Sequence, residues 1–272
     1  MPEIAEVETV RRTLRNKIVN KKIIKVNLIY DKTISTDKKE FQENILNQSI
    51  VDILRRGKWL IFELDDYYLL SHLRMEGKYF LKDSNDEIVK HEHVIFSLND
   101  GSDLRYHDTR KFGRMLLAKK ELIKEINELN KQGYEPNDDN LTAEYLLAKF
   151  KNKTLPIKSI LLDQTIISGL GNIYANEVLF QAKINPLKKG KDLTKRDCQK
   201  IINASNQIIA KAIEMGGTTI KSYTSSLGVT GNFQQYLKVH KRDKEPCYQC
   251  GTLIKNIKVN GRSTYYCEKC QK

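Results

Sequence analysis

Four cysteines close to the C-terminus, Cys247, Cys250, Cys267 and Cys270, form two Cys-x2-Cys pairs separated by sixteen residues. Each pair brings two thiolates together on a tight turn, and the segment between has room only for a short hairpin. The four sulfurs therefore converge on a tetrahedral site of the kind zinc takes. Two disulfides of a secreted protein are the competing use of such cysteines. No basic start with an apolar leader opens the chain and no long apolar run follows, so the expectation is one structural zinc ion in a cytoplasmic protein. With all four positions held by thiolate, the metal has no open site to activate water. The fifth cysteine, Cys198, lies in a helical stretch and reads as a small buried hydrophobe.

The 272 residues carry a formal net charge of +13, distributed unevenly. Residues 1–150 hold 26 Lys and Arg against 26 Asp and Glu, whereas residues 151–272 hold 21 against 8. A grip on a polyanion thus belongs to the C-terminal half. A nucleic-acid backbone is the natural counterpart, with binding that weakens steeply in salt. An acidic membrane surface is the alternative, but the chain shows no long basic amphipathic anchor.

Ile4, Val7, Val10, Leu14 and Ile18 recur every three or four residues and predict an opening amphipathic helix. From about residue 22 to 118 the chain turns to short β-branched and aromatic runs, at 22–30, 50–55, 58–64, 67–73, 94–98 and 115–118, predicting a β-sandwich or barrel. Gly133 to Asn140 reads as a linker. Helices follow near 142–151, 156–162, 173–182 and 194–215, the last stopped by Gly216-Gly217. Residues 218–237, rich in Thr, Ser and Gly, predict a mobile segment. Gly169 and Gly171 precede a helix at Asn172, a start suited to a phosphate.

Three separated segments carry a resemblance: Pro2-Glu3-Ile4-Ala5-Glu6-Val7-Glu8, Gly169 to Glu177, and the four-cysteine hairpin with Gly261-Arg262 inside it. Together they resemble the formamidopyrimidine-DNA glycosylases, bacterial base-excision repair enzymes for oxidised purines, over essentially the whole chain. Ala5 departs from the family's usual Pro; Ala is the better helix former. The resemblance implies an α+β multidomain protein: an N-terminal helix and β-sandwich over 1–133, a helix-two-turn-helix domain with a lesion loop over 134–237, and a zinc finger over 238–272. It also implies a monomer that acts on double-stranded DNA containing oxidised purines or abasic sites. The endonuclease VIII group, which prefers oxidised pyrimidines, shares the Pro-Glu start and the finger. Met75, Arg110 and Phe112 match instead the purine enzymes' set that fills the gap left by the damaged nucleotide, with Arg110 holding the orphaned cytosine.

If Met1 is removed, Pro2 offers a secondary amine that can attack C1′ of the sugar. An α-amine titrates near ~8, far below a lysine at ~10.4, so a useful fraction is unprotonated at neutral pH. The adduct opens to an iminium, an electron sink for eliminating the flanking phosphates. Glu3 can shuttle protons to the ribose oxygen. By resemblance, Lys58 contacts phosphate and assists base release and elimination, and Arg262 forks a phosphate at the δ-elimination step. Glu6 and Glu76 line the pocket, and Thr218, Ile220, Lys221, Ser222 and Tyr223 cover the extruded base. His91, Lys153, Lys158, Asn172 and Tyr236 join the DNA contacts. A catalytically silent zinc-finger protein that only binds damaged or bent DNA is the reading from another class.

Overall fold

Glu3 and Glu6 start the first helix. In the computed structural model of the chain, which describes residues 1–218 and 231–272, α1 runs Ile4–Ile18. A capping box opens it: the Glu3 side chain accepts from the backbone of Glu6, and the Glu6 carboxylate accepts the Glu3 N–H at 2.9 Å. Backbone donors that a helix start leaves over are thereby satisfied. The apolar face read from the sequence is buried throughout, from Ile4 to Ile18.

The chain forms two compact units, Met1–Asn130 with Gly216–Gly231, and Lys131–Met215 with Asn232–Lys272. In the first, α1 is followed by β1 (Ile23–Leu28), α2 (Lys38–Ile45), β2 (Ile50–Arg56), β3 (Trp59–Leu64), β4 (Tyr67–His72), β5 (Lys78–Asp83), β6 (Glu92–Leu98), β7 (Ser102–His107), β8 (Arg114–Lys119) and α3 (Asn127–Asn130). The strands make two antiparallel four-stranded sheets, ordered β1-β6-β7-β5 and β2-β3-β4-β8. Val26, Tyr79 and Phe96 of one sheet share a core with Ile53, Phe62 and Met115 of the other and with the apolar face of α1, so the unit is a β-sandwich. The run Trp-Leu-Ile-Phe of β3 does not alternate because the outer face of its sheet is covered too, where Trp59, Ile61 and Leu70 pack with Ile126.

The sequence texture predicts six strands here and the structure has eight. The additions, β5 and β7, carry charged residues that obscure the alternation, and one of them points inward. Arg105 of β7 is fully buried, donating to the Asp103 and Glu92 carboxylates and to the carbonyls of Asp83, Asp86 and Glu87. The predicted strand start at Lys58 also moves by one residue: β3 begins at Trp59, and Lys58 belongs to the turn before it.

The second unit holds α4 (Ala143–Phe150), α5 (Ile157–Ile160), α6 (Asn172–Gln181), α7 (Lys195–Glu214) and the hairpin β9 (Lys255–Val259) and β10 (Arg262–Tyr266). Ile173 to Phe180 of α6 are all buried, which is why this helix lacks an amphipathic stripe. A Thr194–Asp197 capping box starts α7, which ends at Glu214 ahead of Gly216 and Gly217, both at positive φ. Cys198 is buried in α7. Among the described residues no helix is long and apolar enough to cross a membrane.

Candidate active site and metal centre

The capping box that starts α1 buries acidic groups beside the chain's amino end. Pro2 is buried, as are Glu3, Glu6 and Lys58. Burial lowers the pKa of the Met1 amino group below its ordinary 8.0; the Lys58 charge lowers it further, while Glu3, Glu6 and Glu76 pull it back up. An amine so placed keeps more of its free base at neutral pH than an exposed one.

Glu6 has a second task. Its Oε1 accepts the backbone N–H of Thr218 at 2.7 Å and the Thr218 hydroxyl at 3.0 Å, fastening the segment after α7 to the start of α1. Gly217 makes this approach possible: at φ +78°, any Cβ there would lie 2.8 Å from the same carboxylate oxygen. Thr218 is thus beside Glu6, while Ile220, Lys221, Ser222 and Tyr223 lie outside the described residues.

Lys58 follows Gly57 in the two-residue turn between β2 and β3, where Arg56 pairs with Trp59. Gly57 takes φ +56° there. Behind the turn, Arg55 donates from Nε to Glu8 at 3.0 Å and from a terminal nitrogen to the Gly57 carbonyl at 3.0 Å. Glu8 also receives Arg11 and Arg12, and these guanidiniums hold its pKa down to about 2 in spite of burial.

Met75, Arg110 and Phe112 stand on two loops of the sandwich, 73–77 and 108–113. The loops are joined by a hydrogen bond from the Thr109 hydroxyl to Glu76. Phe112 is 49% exposed, with the Arg110 guanidinium 4.8 Å from its ring centre. The buried carboxylate of Asp108 shapes the second loop by accepting the N–H groups of Arg110, Phe112 and Gly113. The only signal of Asp108 in the sequence is its place ahead of a Gly-terminated loop, where Asp favours a turn. His91 packs against His93 and His107 with ring centres 6.3 and 5.7 Å away.

In the second unit, Asn172 opens α6 and donates from its side chain to the Ser263 carbonyl of the hairpin at 3.1 Å. Lys158 is wholly buried; its Nζ donates to the Asn172 carbonyl at 2.9 Å and to the Asn176 side chain, which meets His240 at 2.8 Å. Burial, with the nearby Lys158 charge, holds His240 down to about 3, so it is a neutral partner. Asn176 and His240 carry no periodicity or spacing that marks them in sequence. Lys153 and Arg262 are exposed. Arg262 begins β10 directly after the Asn260-Gly261 turn, whose residues both take positive φ. Tyr236 stacks on Phe233, with Lys211 over its ring.

The sulfurs of Cys247, Cys250, Cys267 and Cys270 all lie within 4.8 Å of one another. A tetrahedral zinc with Zn–S bonds of about 2.3 Å sets its sulfurs about 3.8 Å apart, so the residues fit the ion. Phe180, Val239 and Ile254 pack against the cluster.

The sequence pattern of the formamidopyrimidine-DNA glycosylase N-terminal domain matches residues 1–115, that of the H2TH domain of the same enzymes residues 132–224, and that of a zinc finger found in FPG and IleRS residues 244–272. The formamidopyrimidine-DNA glycosylase of Ligilactobacillus salivarius is 45% identical over 100% of this chain and 99% of its own. The chain belongs to the formamidopyrimidine-DNA glycosylase family. It is therefore a DNA glycosylase with a structural zinc finger. Among solved relatives, a Lactococcus lactis FPG mutant in complex with a Fapy-dG-containing DNA superposes with a TM-score of 0.95 at 39% identity, covering 100% of both chains. The wild-type Lactococcus lactis enzyme with an oxidised-pyrimidine-containing DNA gives 0.93 at 39%, again covering both chains fully. The glycosylase fold expected from the three sequence segments is the fold observed.

Proposed function

We propose that this glycosylase excises oxidised purines such as 8-oxoguanine and formamidopyrimidines from double-stranded DNA and then cuts the strand by β,δ-elimination. The observation that carries the reading is the buried group at the start of α1, where Pro2, Glu3, Glu6 and Lys58 are all withdrawn from solvent. With Met1 removed, the Pro2 nitrogen attacks C1′ as the bond to the base breaks, and the bonding pair leaves with the base. Glu3 delivers a proton to the ribose oxygen as the ring opens, leaving an iminium on Pro2. Loss of a C2′ proton into that electron sink expels one flanking phosphate, and a second elimination expels the other. Lys58 assists base release and elimination, and Arg262 holds a phosphate during the second elimination.

Met75 and Phe112 fill the gap left by the extruded nucleotide, and Arg110 pairs with the orphaned cytosine. The exposure of the Phe112 ring and the bond between the two loops support that role. Residues 1–133 form the catalytic portion, 134–237 the helix-two-turn-helix portion with its lesion loop, and 238–272 the finger. The protein works as a monomer in the cytoplasm, on the nucleoid. His91, Lys153, Asn172 and Tyr236 serve the DNA contacts, with the wholly buried Lys158 supporting Asn172 from behind through its carbonyl, and Glu76, Thr218, Ile220, Lys221, Ser222 and Tyr223 serve the lesion pocket. Zinc holds the finger and takes part in no bond change.

The pyrimidine-containing complex of the Lactococcus lactis enzyme makes the choice of base the quantity to measure. Single-turnover release of 8-oxoguanine opposite cytosine is expected to exceed release of thymine glycol, with phosphates left at both ends of the gap. A preference for thymine glycol would overturn the purine assignment, and a product cut on one side only would overturn the second elimination.

A further inference from the structure

Glu8 sits at the centre of three guanidiniums. Arg11 and Arg12 reach it along α1, and Arg55 reaches it from β2, 47 residues away. The Glu8 and Arg55 side chains are only 10% and 12% exposed. Arg55 does not end at Glu8: its other arm holds the carbonyl of Gly57, the residue before Lys58, in a turn that depends on a positive φ. One planar side chain therefore spans from α1, which follows directly on Pro2 and Glu3 and carries Glu6, to the backbone that presents Lys58. Arg15 and Asp52 form a second bridge between α1 and β2, at 2.6 Å, farther along the helix.

We propose that Glu8 and Arg55 are positioning residues for the reaction, acting through the Gly57 carbonyl to fix Lys58 against the start of α1. The role rests on the functional reading above. It requires a fork, because one donor must face a carboxylate while another faces a carbonyl. A lysine at position 55 keeps the charge but has no rigid fork to reach both acceptors together. A misplacement on the order of 1 Å at a reacting group costs about 10²-fold in rate, so a loosened turn shows in chemistry before it shows in binding.

The test is a double-mutant cycle on the full-length, zinc-loaded protein, reading single-turnover base release, DNA affinity and thermal midpoint. Arg55→Lys is expected to slow base release by roughly tenfold or more while DNA affinity stays within about threefold. In a Lys58→Gln background the same change is expected to slow release no further, because the group it positions has gone. Glu8→Gln, which approaches the fork from its other end, is expected to show the same pattern and serves if Arg55→Lys does not fold. An equal slowing in both backgrounds would assign the pair a merely structural role and overturn the proposal, as would an unchanged rate in both single variants. Wild-type protein that releases no damaged base defeats the functional reading itself, and this inference with it.

Discussion

Glu6 is the residue on which most of the local geometry converges. Its two oxygens accept from Glu3, from the Thr218 backbone and from the Thr218 hydroxyl, all in a buried setting. Glu6→Ala leaves two buried backbone N–H groups unpaired and is expected to cost ~1–3 kcal/mol each at most, read as a lower denaturation midpoint. A midpoint equal to wild type would show that the Thr218 contact is dispensable. Glu8 gives a pH signature. Its pKa falls from the ordinary 4.5 to about 2 in the folded chain, so its stabilisation is present above 4.5 and lost as pH falls toward 2. The stability gap between wild type and Glu8→Gln is therefore expected to shrink across that window, and a constant gap would contradict the ion cluster. The roles proposed for Pro2 and Glu3 rest on the family resemblance, whereas the four cysteines are legible in sequence because their chemistry is written in regularly spaced letters. Glu8, Arg55, Asp108 and His240 are not, because each acquires its role from a partner that only folding supplies.

At the scale of elements, legibility follows how far local pattern decides structure. α1 and α7 have one buried face and clear ends, and both are read almost to the residue. α6 is buried all round, so Gly169 and Gly171 locate its start where periodicity cannot. β5 and β7 escape notice because Arg105, the most polar residue of β7, faces a buried nest of carboxylates and carbonyls. α2 has only Phe41 and Ile45 buried, too few for a pattern. The finger is the element whose existence depends on an ion. Its apolar support is a small cluster of Phe180, Val239, Ile254 and the cysteines themselves, so metal binding supplies folding free energy. Zinc content is expected to be one per chain. Chelation is expected to abolish the contribution of Arg262, so that strand cutting and DNA affinity fall together and recover on readdition of zinc. Full activity in metal-free protein would contradict a structural ion.

Across the whole molecule the sequence separates two tasks. The balanced charges of residues 1–150 accompany the amine, the carboxylates and Lys58, whereas the excess positive charge lies in residues 151–272 with Asn172 and the exposed Lys153 and Arg262. The zinc cluster is the loudest signal in the chain, but it serves the second task, and the proposed chemistry begins at the other end. Borohydride trapping on lesion-containing DNA, with protein shown by mass to lack Met1, tests that assignment most directly. A covalent adduct is expected that peptide mapping locates on Pro2 and that Pro2→Gly weakens while DNA binding persists. No adduct from such protein, or an adduct mapped to a lysine side chain, would contradict it.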